Sequence, residues 1–315
     1  MTAGQPPMVA LGLGGPAEAC LTTSHLLAAV DAKNPYSRAL YLWLLIGLSS
    51  LIVSREGIKF SGSVGFRNGS ASVHTSRTMM LAELRILLDH VAAGAAAGDY
   101  TESIMDENIL GKPTRAARQK TARRLRELYG VDPHCTLFRW LRHFWTADTH
   151  SQPMLAFLVA AARDPLLRET TPIVQEIPLG QSVSSTEIAK RLVEKYPQRF
   201  SPTTQLSTAQ NLASSWSQAG YLKGRAKKIR TRPYVTPVVA TFALLIGYLC
   251  GLRGSLLLNC VWTRLLDYST SELTDLVTEA SKQGWLRFKA SGSVLEISFP
   301  GVLTPAEEKP AYESH

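Results

Sequence analysis

The sequence predicts a mainly α-helical chain carrying a few small β-hairpins. Three observations lead there. Apolar residues recur at helical spacing within residues 76–163, as in Met80, Leu81, Leu84, Leu87, Leu88 and Val91. Strand-like alternation is confined to short stretches beside the turn dipeptides Asn68-Gly69 and Ser291-Gly292. A helix–Gly–aromatic–strand pattern occurs twice, in residues 212–225 and 276–289, an offset of 64 (276 − 212).

Taken in order, residues 1–20 are rich in Gly, Pro and Ala and predict a flexible lead-in. Residues 21–75 predict a helical and hairpin region: two helices over 22–53, joined around Asn34 and Pro35, then a hairpin between Ile58 and His74. Residues 76–163 predict a helical core. It includes a short helix from Tyr100 to Leu110, a helix starting at Thr114, and an aromatic-rich helix from His134 to Trp145. Pro165, Pro172, Pro178 and Gly180 mark residues 164–184 as a linker. A helix then opens at Ser185 and Glu187, a second spans 204–220, and 221–235 is extended. Residues 236–267 predict two apolar helices around Gly251–Gly254, and 270–283 a helix capped by Ser269 or Thr270. Residues 285–299 predict two short strands, and 301–315 a flexible acidic tail.

The bulk numbers bound the function. The chain has 315 residues, 45% of them hydrophobic, enough for two or three packed domains. Lys and Arg exceed Asp and Glu by 34 to 25, a formal net charge of +9 with pI ≈ 9.5, which points to a polyanionic partner. Cys20, Cys135, Cys250 and Cys260 are scattered and fit a reducing cytoplasm better than a disulfide-built fold. The N-terminus lacks the basic region of a secretory signal. The apolar runs Ala39–Val53 and Val235–Gly251 have 15 and 17 residues, short of the roughly 20 that a membrane span needs. Both predict buried core helices, so no membrane insertion is expected.

The two repeat copies share aligned positions. Leu212, Ser217, Gly220, Tyr221, Leu222, Lys223 and Arg225 face Leu276, Ser281, Gly284, Trp285, Leu286, Arg287 and Lys289. Helices followed by a Gly and a basic strand pair are the order of a winged helix, so residues 185–235 and 236–300 predict two winged-helix-like units. Glycine suits the left-handed turn past a helix end.

Two basic clusters stand out. Lys112, Arg115, Arg118, Lys120, Arg123, Arg124 and Arg126 are seven cations in fifteen residues without an acid. Arg115, Arg118, Arg123 and Arg126 fall within a helical arc of roughly 140°, and arginine forks match phosphate oxygens. Lys223, Arg225, Lys227, Lys228, Arg230 and Arg232 are six cations in ten residues at the first wing. On the helix before that wing, Gln205, Thr208, Asn211 and Ser215 are candidates to reach base edges or phosphates. Arg287 and Lys289 are the equivalent candidates on the second wing.

No GxxxxGK[ST] loop, GxSxG elbow, HExxH or zinc-spaced Cys/His set is present. The sequence therefore predicts a non-enzymatic protein without metal or cofactor and without a small-molecule substrate.

Residues 104–133, with Glu107, Asn108, Leu110, Thr114, Arg115, Arg118, Arg123, Arg124 and Leu128, resemble the helical core of BrxA-like proteins of bacterial phage-exclusion (BREX) defence systems. Residues 204–233, with Asn211, Gly220, Tyr221, Leu222 and the basic wing, look like that family's winged-helix part. The resemblance spans residues 76–235, about half the chain. It implies a non-enzymatic protein that binds double-stranded DNA and works beside other defence-system proteins. A winged-helix transcriptional regulator, an RNA-binding protein and a protein scaffold are the alternatives.

Overall fold

A computed structural model describes residues 62–304 and Glu307, apart from 198, 226, 293 and 302. The described residues fall in one unit of the chain, Ile58–His315. The expected lead-in, the helices over 22–53, the first apolar run and most of the expected tail lie outside them.

Several helix starts follow caps that the sequence supplies. α1 (Leu81–His90) and α2 (Ala97–Met105) precede α3 (Arg115–Tyr129), where the Thr114 side chain accepts the Ala117 N–H and Gly130 closes the helix at φ 62°. α4 (Thr136–Trp145) buries Phe138, Trp140, Phe144 and Trp145. α5 (Gln152–Arg163) is buried along nearly its whole length.

The stretch expected to be a linker is instead α6 (Pro165–Gln175), with Leu166, Leu167, Ile173 and Val174 buried. Asp164 caps it by accepting the Leu167 N–H, and Pro165 occupies the first turn, where proline costs no hydrogen bond. Pro165 thus opens a helix. The hairpin expected around Asn68-Gly69 is also absent: residues 62–80 hold two 3-10 turns, Gly62–Val64 and Val73–Thr75, and no strand. Backbone donors there are taken by neighbouring elements instead. Arg67 N–H meets the Ala162 carbonyl at 3.3 Å and Val73 N–H meets Asp164 at 2.8 Å.

Beyond α6 lie β1 (Ser182–Val183), α7 (Ser185–Lys195), α8 (Pro202–Ala219), β2 (Leu222–Lys223) and β3 (Lys228–Arg230). Ser184 and Ser201 cap the two helices. The three strands form an antiparallel sheet in the order β1-β3-β2, with Ser182 opposite Ile229 and Leu222 opposite Arg230.

The second apolar run becomes α9 (Pro237–Leu249), a buried helix started by Thr236 and Pro237. No helix among the described residues is long and apolar enough to cross a membrane. Two short helices follow, α10 (Ser255–Leu258) and α11 (Val261–Arg264). α12 (Thr270–Lys282) comes next, started by a Ser269–Glu272 capping box. β4 (Arg287–Ser291) and β5 (Val294–Ser298) pair antiparallel.

The repeated junction recurs in the backbone. Gly220 (φ 97°) donates to Ser217 O and Tyr221 to Trp216 O; Gly284 (φ 81°) donates to Ser281 O and Trp285 to Ala280 O. These are the same two bonds at the offset of 64 residues (281 − 217). Both glycines occupy the left-handed region that side-chain-bearing residues avoid. Buried residues from Phe66 to Phe299 form one cluster, and the limits expected at 164, 185 and 236 fall at the starts of α6, α7 and α9. The tail also has an anchor: Glu307 ion-pairs with Arg139, and Leu303 packs on the core.

Candidate nucleic-acid interface

The wing cations divide into two sets by their surroundings. Lys223, Arg225 and Lys227 are exposed and make no ion pair among the described residues. Lys228 is half-buried, its Nζ donating to Ser217 Oγ at 3.0 Å, and burial lowers its pKa. Arg230 and Arg232, both expected to meet phosphates, are held by acids of the protein, with Arg230 buried and Arg232 still exposed. Arg230 is only 2% exposed and is bound to Asp267 at 2.5 Å, with its guanidinium over the Tyr221 ring. Arg232 places two nitrogens on the two Glu272 oxygens, each at 2.7 Å, and lies 3.9 Å over Tyr268. Arg232 and Ser269 hold the Glu272 carboxyl well below the usual carboxylate range. These two arginines tie the first wing to the segment that leads into α12. Lys228 and Arg230, two residues apart on β3, lie on one side of that strand.

On α8 the expected contact face is closed. Thr208 and Ser215 are fully buried. Ser215 Oγ accepts the Met79 N–H at 2.8 Å, Asn211 Nδ2 donates to His74 O at 3.0 Å, and Gln205 Nε2 donates to Phe200 O at 3.0 Å. Thr208, Asn211 and Ser215 share one arc next to the apolar face of Leu212, Trp216 and Ala219, and the segment around His74 packs on it. The solvent face lies elsewhere. Thr203, Ser207, Gln210, Ser214 and Ser217 fall within an arc of about 80° at 100° per residue, with Thr203, Leu206 and Gln210 exposed. A helical wheel centred on the apolar face finds this stripe in the sequence; residue type alone does not.

Several cations in and just before the arginine-rich helix α3 are engaged within the protein. Lys112 pairs with Glu83 at 3.1 Å, and Arg118 caps the end of α2 by donating to Met105 O at 2.9 Å. Arg123 and Arg124 clamp Glu127 at 3.0 and 2.6 Å. Burial raises the Glu127 pKa, but the two arginines outweigh it and the net direction is down. Glu127 lies one residue beyond the acid-free run. Arg115, Lys120, Arg123 and Arg126 keep exposed side chains.

The second wing is less basic than expected. Arg287 and Lys289 are exposed on β4, but Lys289 sits opposite Glu296 in the register, and α12 carries Glu272, Asp275 and Glu279 at helical spacing.

One unexpected feature lies beneath α8. His74 Nδ1 is 2.8 Å from Asp164 Oδ2, and His74 Nε2 is 2.9 Å from Ser215 Oγ. This Ser–His–Asp order resembles a hydrolase relay, yet all three side chains are buried, His74 and Ser215 completely. Burial raises the Asp164 pKa, but His74, Ser72 and the Leu167 N–H outweigh it and bring the carboxyl down to about 2. The relay joins the 72–80 segment, the start of α6 and α8. Its residues are far apart in the chain, so spacing gave no signal.

The chain matches no protein-family model and no curated protein.

Proposed function

We propose that the chain binds double-stranded DNA through α6–β1–α7–α8–β2–β3, acting as a winged helix with α8 as recognition helix and residues 224–227 as the wing tip. The observation that carries it is the exposed trio Lys223, Arg225 and Lys227, without an ion pair among the described residues, beside a solvent-facing α8 stripe free of charge. Such a wing follows the phosphate backbone while the helix enters the groove. The element order and the β1-β3-β2 strand order support the winged-helix assignment. The second unit, α9–α12 with β4 and β5, has the same junction but an acidic helix face, and serves as a structural mate.

The protein acts without catalysis, in the cytoplasm, as a DNA-binding component of a phage-defence system beside partner proteins. The sealing of the Ser215–His74–Asp164 relay from solvent supports the first point, and the resemblance of residues 76–235 to BrxA-like proteins supports the last. The test is equilibrium binding of labelled duplex DNA, single-stranded DNA and duplex RNA over a salt series. Duplex DNA should bind best, and log affinity should fall steeply with log salt. Affinity independent of salt would refute phosphate contact.

A further inference from the structure

We infer that the exposed stripe of α8 reads A·T base pairs in the major groove, with Gln210 as the discriminating side chain. This rests on the duplex-DNA proposal above.

The first reason is charge. α8 runs for 18 residues, PTTQLSTAQNLASSWSQA, without one Lys, Arg, Asp or Glu. In the whole chain 19% of residues are charged, so a helix face serving only as solvated surface is expected to carry some. A face meeting phosphates would carry cations. Base edges are neutral arrays of donors and acceptors, and a neutral hydrogen-bonding stripe suits them.

The second reason is position. Lys228 Nζ bonds Ser217 Oγ at the end of the same stripe, so the wing strand is fixed to the helix. Lys223, Arg225 and Lys227 project beside it. Phosphates held by that trio bring the groove onto Thr203, Leu206 and Gln210.

The third reason is availability. The Ser207 hydroxyl donates to Thr204 O at 3.0 Å, the Ser217 hydroxyl to Ala213 O at 2.8 Å, and Ser214 Oγ accepts from Gln218 at 3.4 Å. The Gln210 amide makes no hydrogen bond among the described residues and is the longest polar side chain on the stripe. A glutamine amide donates to adenine N7 and accepts from adenine N6, a pairing that no other base offers in the major groove. Leu206, 43% exposed one turn away, and Thr203 supply methyl groups for the thymine methyl.

The test is enrichment from a randomised duplex pool by the full-length chain and by its Gln210→Ala variant. Affinities and salt slopes are then measured on the enriched duplex and on single A·T→G·C changes. Wild type should enrich a site with a fixed A·T pair and lose roughly 5- to 140-fold on its replacement. Gln210→Ala should lose that preference while keeping its melting temperature and salt slope, because the side chain is exposed and uncharged. Salt-sensitive duplex binding with no enriched sequence would overturn the base reading and leave the phosphate reading standing. A preference unaffected by Gln210→Ala would do the same. Absence of duplex binding, or preference for duplex RNA, whose major groove is too narrow for a helix, would overturn both.

Discussion

Replacing Lys223, Arg225 and Lys227 together by alanine should flatten the salt dependence of duplex binding without unfolding the protein. The three side chains are exposed and pair with nothing charged among the described residues, so folding does not use them. Each phosphate contact contributes about 0.9 to the log–log salt slope, so three contacts remove about 2.7. Between 50 and 200 mM salt the wild type should then lose about 40-fold more affinity than the variant does. Exposed substitutions cost about 0.5 kcal/mol or less each, so the melting temperature should fall by no more than about 6 °C. Fluorescence anisotropy on a labelled duplex gives the slope, and calorimetry gives the melting temperature. An unchanged slope in a variant that melts normally would remove the wing from the interface. Arg115, Lys120, Arg123 and Arg126 on α3 would then be the next candidates.

Arg230→Ala should behave in the opposite way: with Asp267 left unpaired, it should cost about 3 kcal/mol in a urea melt. Arg232→Ala, at a more exposed ion pair, should cost far less, and an equal loss for the two would contradict the burial difference. The Asp164 carboxyl has its folded pKa depressed to about 2 from the ordinary 3.8, so its stabilisation is present above pH 3.8 and is lost as pH falls through 2. That component should amount to about 2 kcal/mol in urea melts taken from pH 5 downward, and it should vanish in Asp164→Asn, which is itself less stable at neutral pH. Arg287→Ala with Lys289→Ala should leave the salt slope of duplex binding within error, because Glu296 and the α12 acids adjoin them; a slope shallower by about two units would place the second wing on DNA.

Helix positions were legible wherever a cap and an apolar period agree, as at Thr114 and Ser269, while the caps Ser184 and Ser201 lie just before the expected starts at 185 and 204. The repeat was legible because its glycines face a conformational requirement that few residues meet. Two expectations failed for one shared reason, since local signals do not reveal what packs on them. Pro165 and Pro172 count as loop residues by type, yet a preceding Asp makes Pro165 a helix start. Asn68-Gly69 does bend the chain, with Gly69 at φ 96°, but the donors flanking it bind α5 and Asp164 instead of each other. At the interface, residue type picked out Thr208, Asn211 and Ser215 as hydrogen-bonding groups; Asn211 and Ser215 are, whereas the buried Thr208 hydroxyl has no hydrogen-bond partner among the described residues. Their partners are His74 and Met79 for Asn211 and Ser215, contacts more than 130 residues away in sequence.

The wing cluster carries the same lesson about charge. Six cations in ten residues suggest six phosphate contacts, but acids and polar groups of the protein take some of them. Lys223, Arg225 and Lys227 are exposed without an ion pair among the described residues, whereas Lys228 bonds Ser217 and Arg230 and Arg232 meet acids. Those acids are Asp267 and Glu272 at the start of α12. The equivalent helix of the first repeat, α8, has no charge at all. The two copies thus keep one backbone junction and differ in electrostatics: the acids of the second copy bind two of the first wing's six cations. An acid at the corresponding place on α8 would compete for the outward trio and repel phosphate. The neutrality of α8 and the acidity of α12 are therefore complementary, and a charge added to either helix should disturb the arrangement that aims the first wing outward.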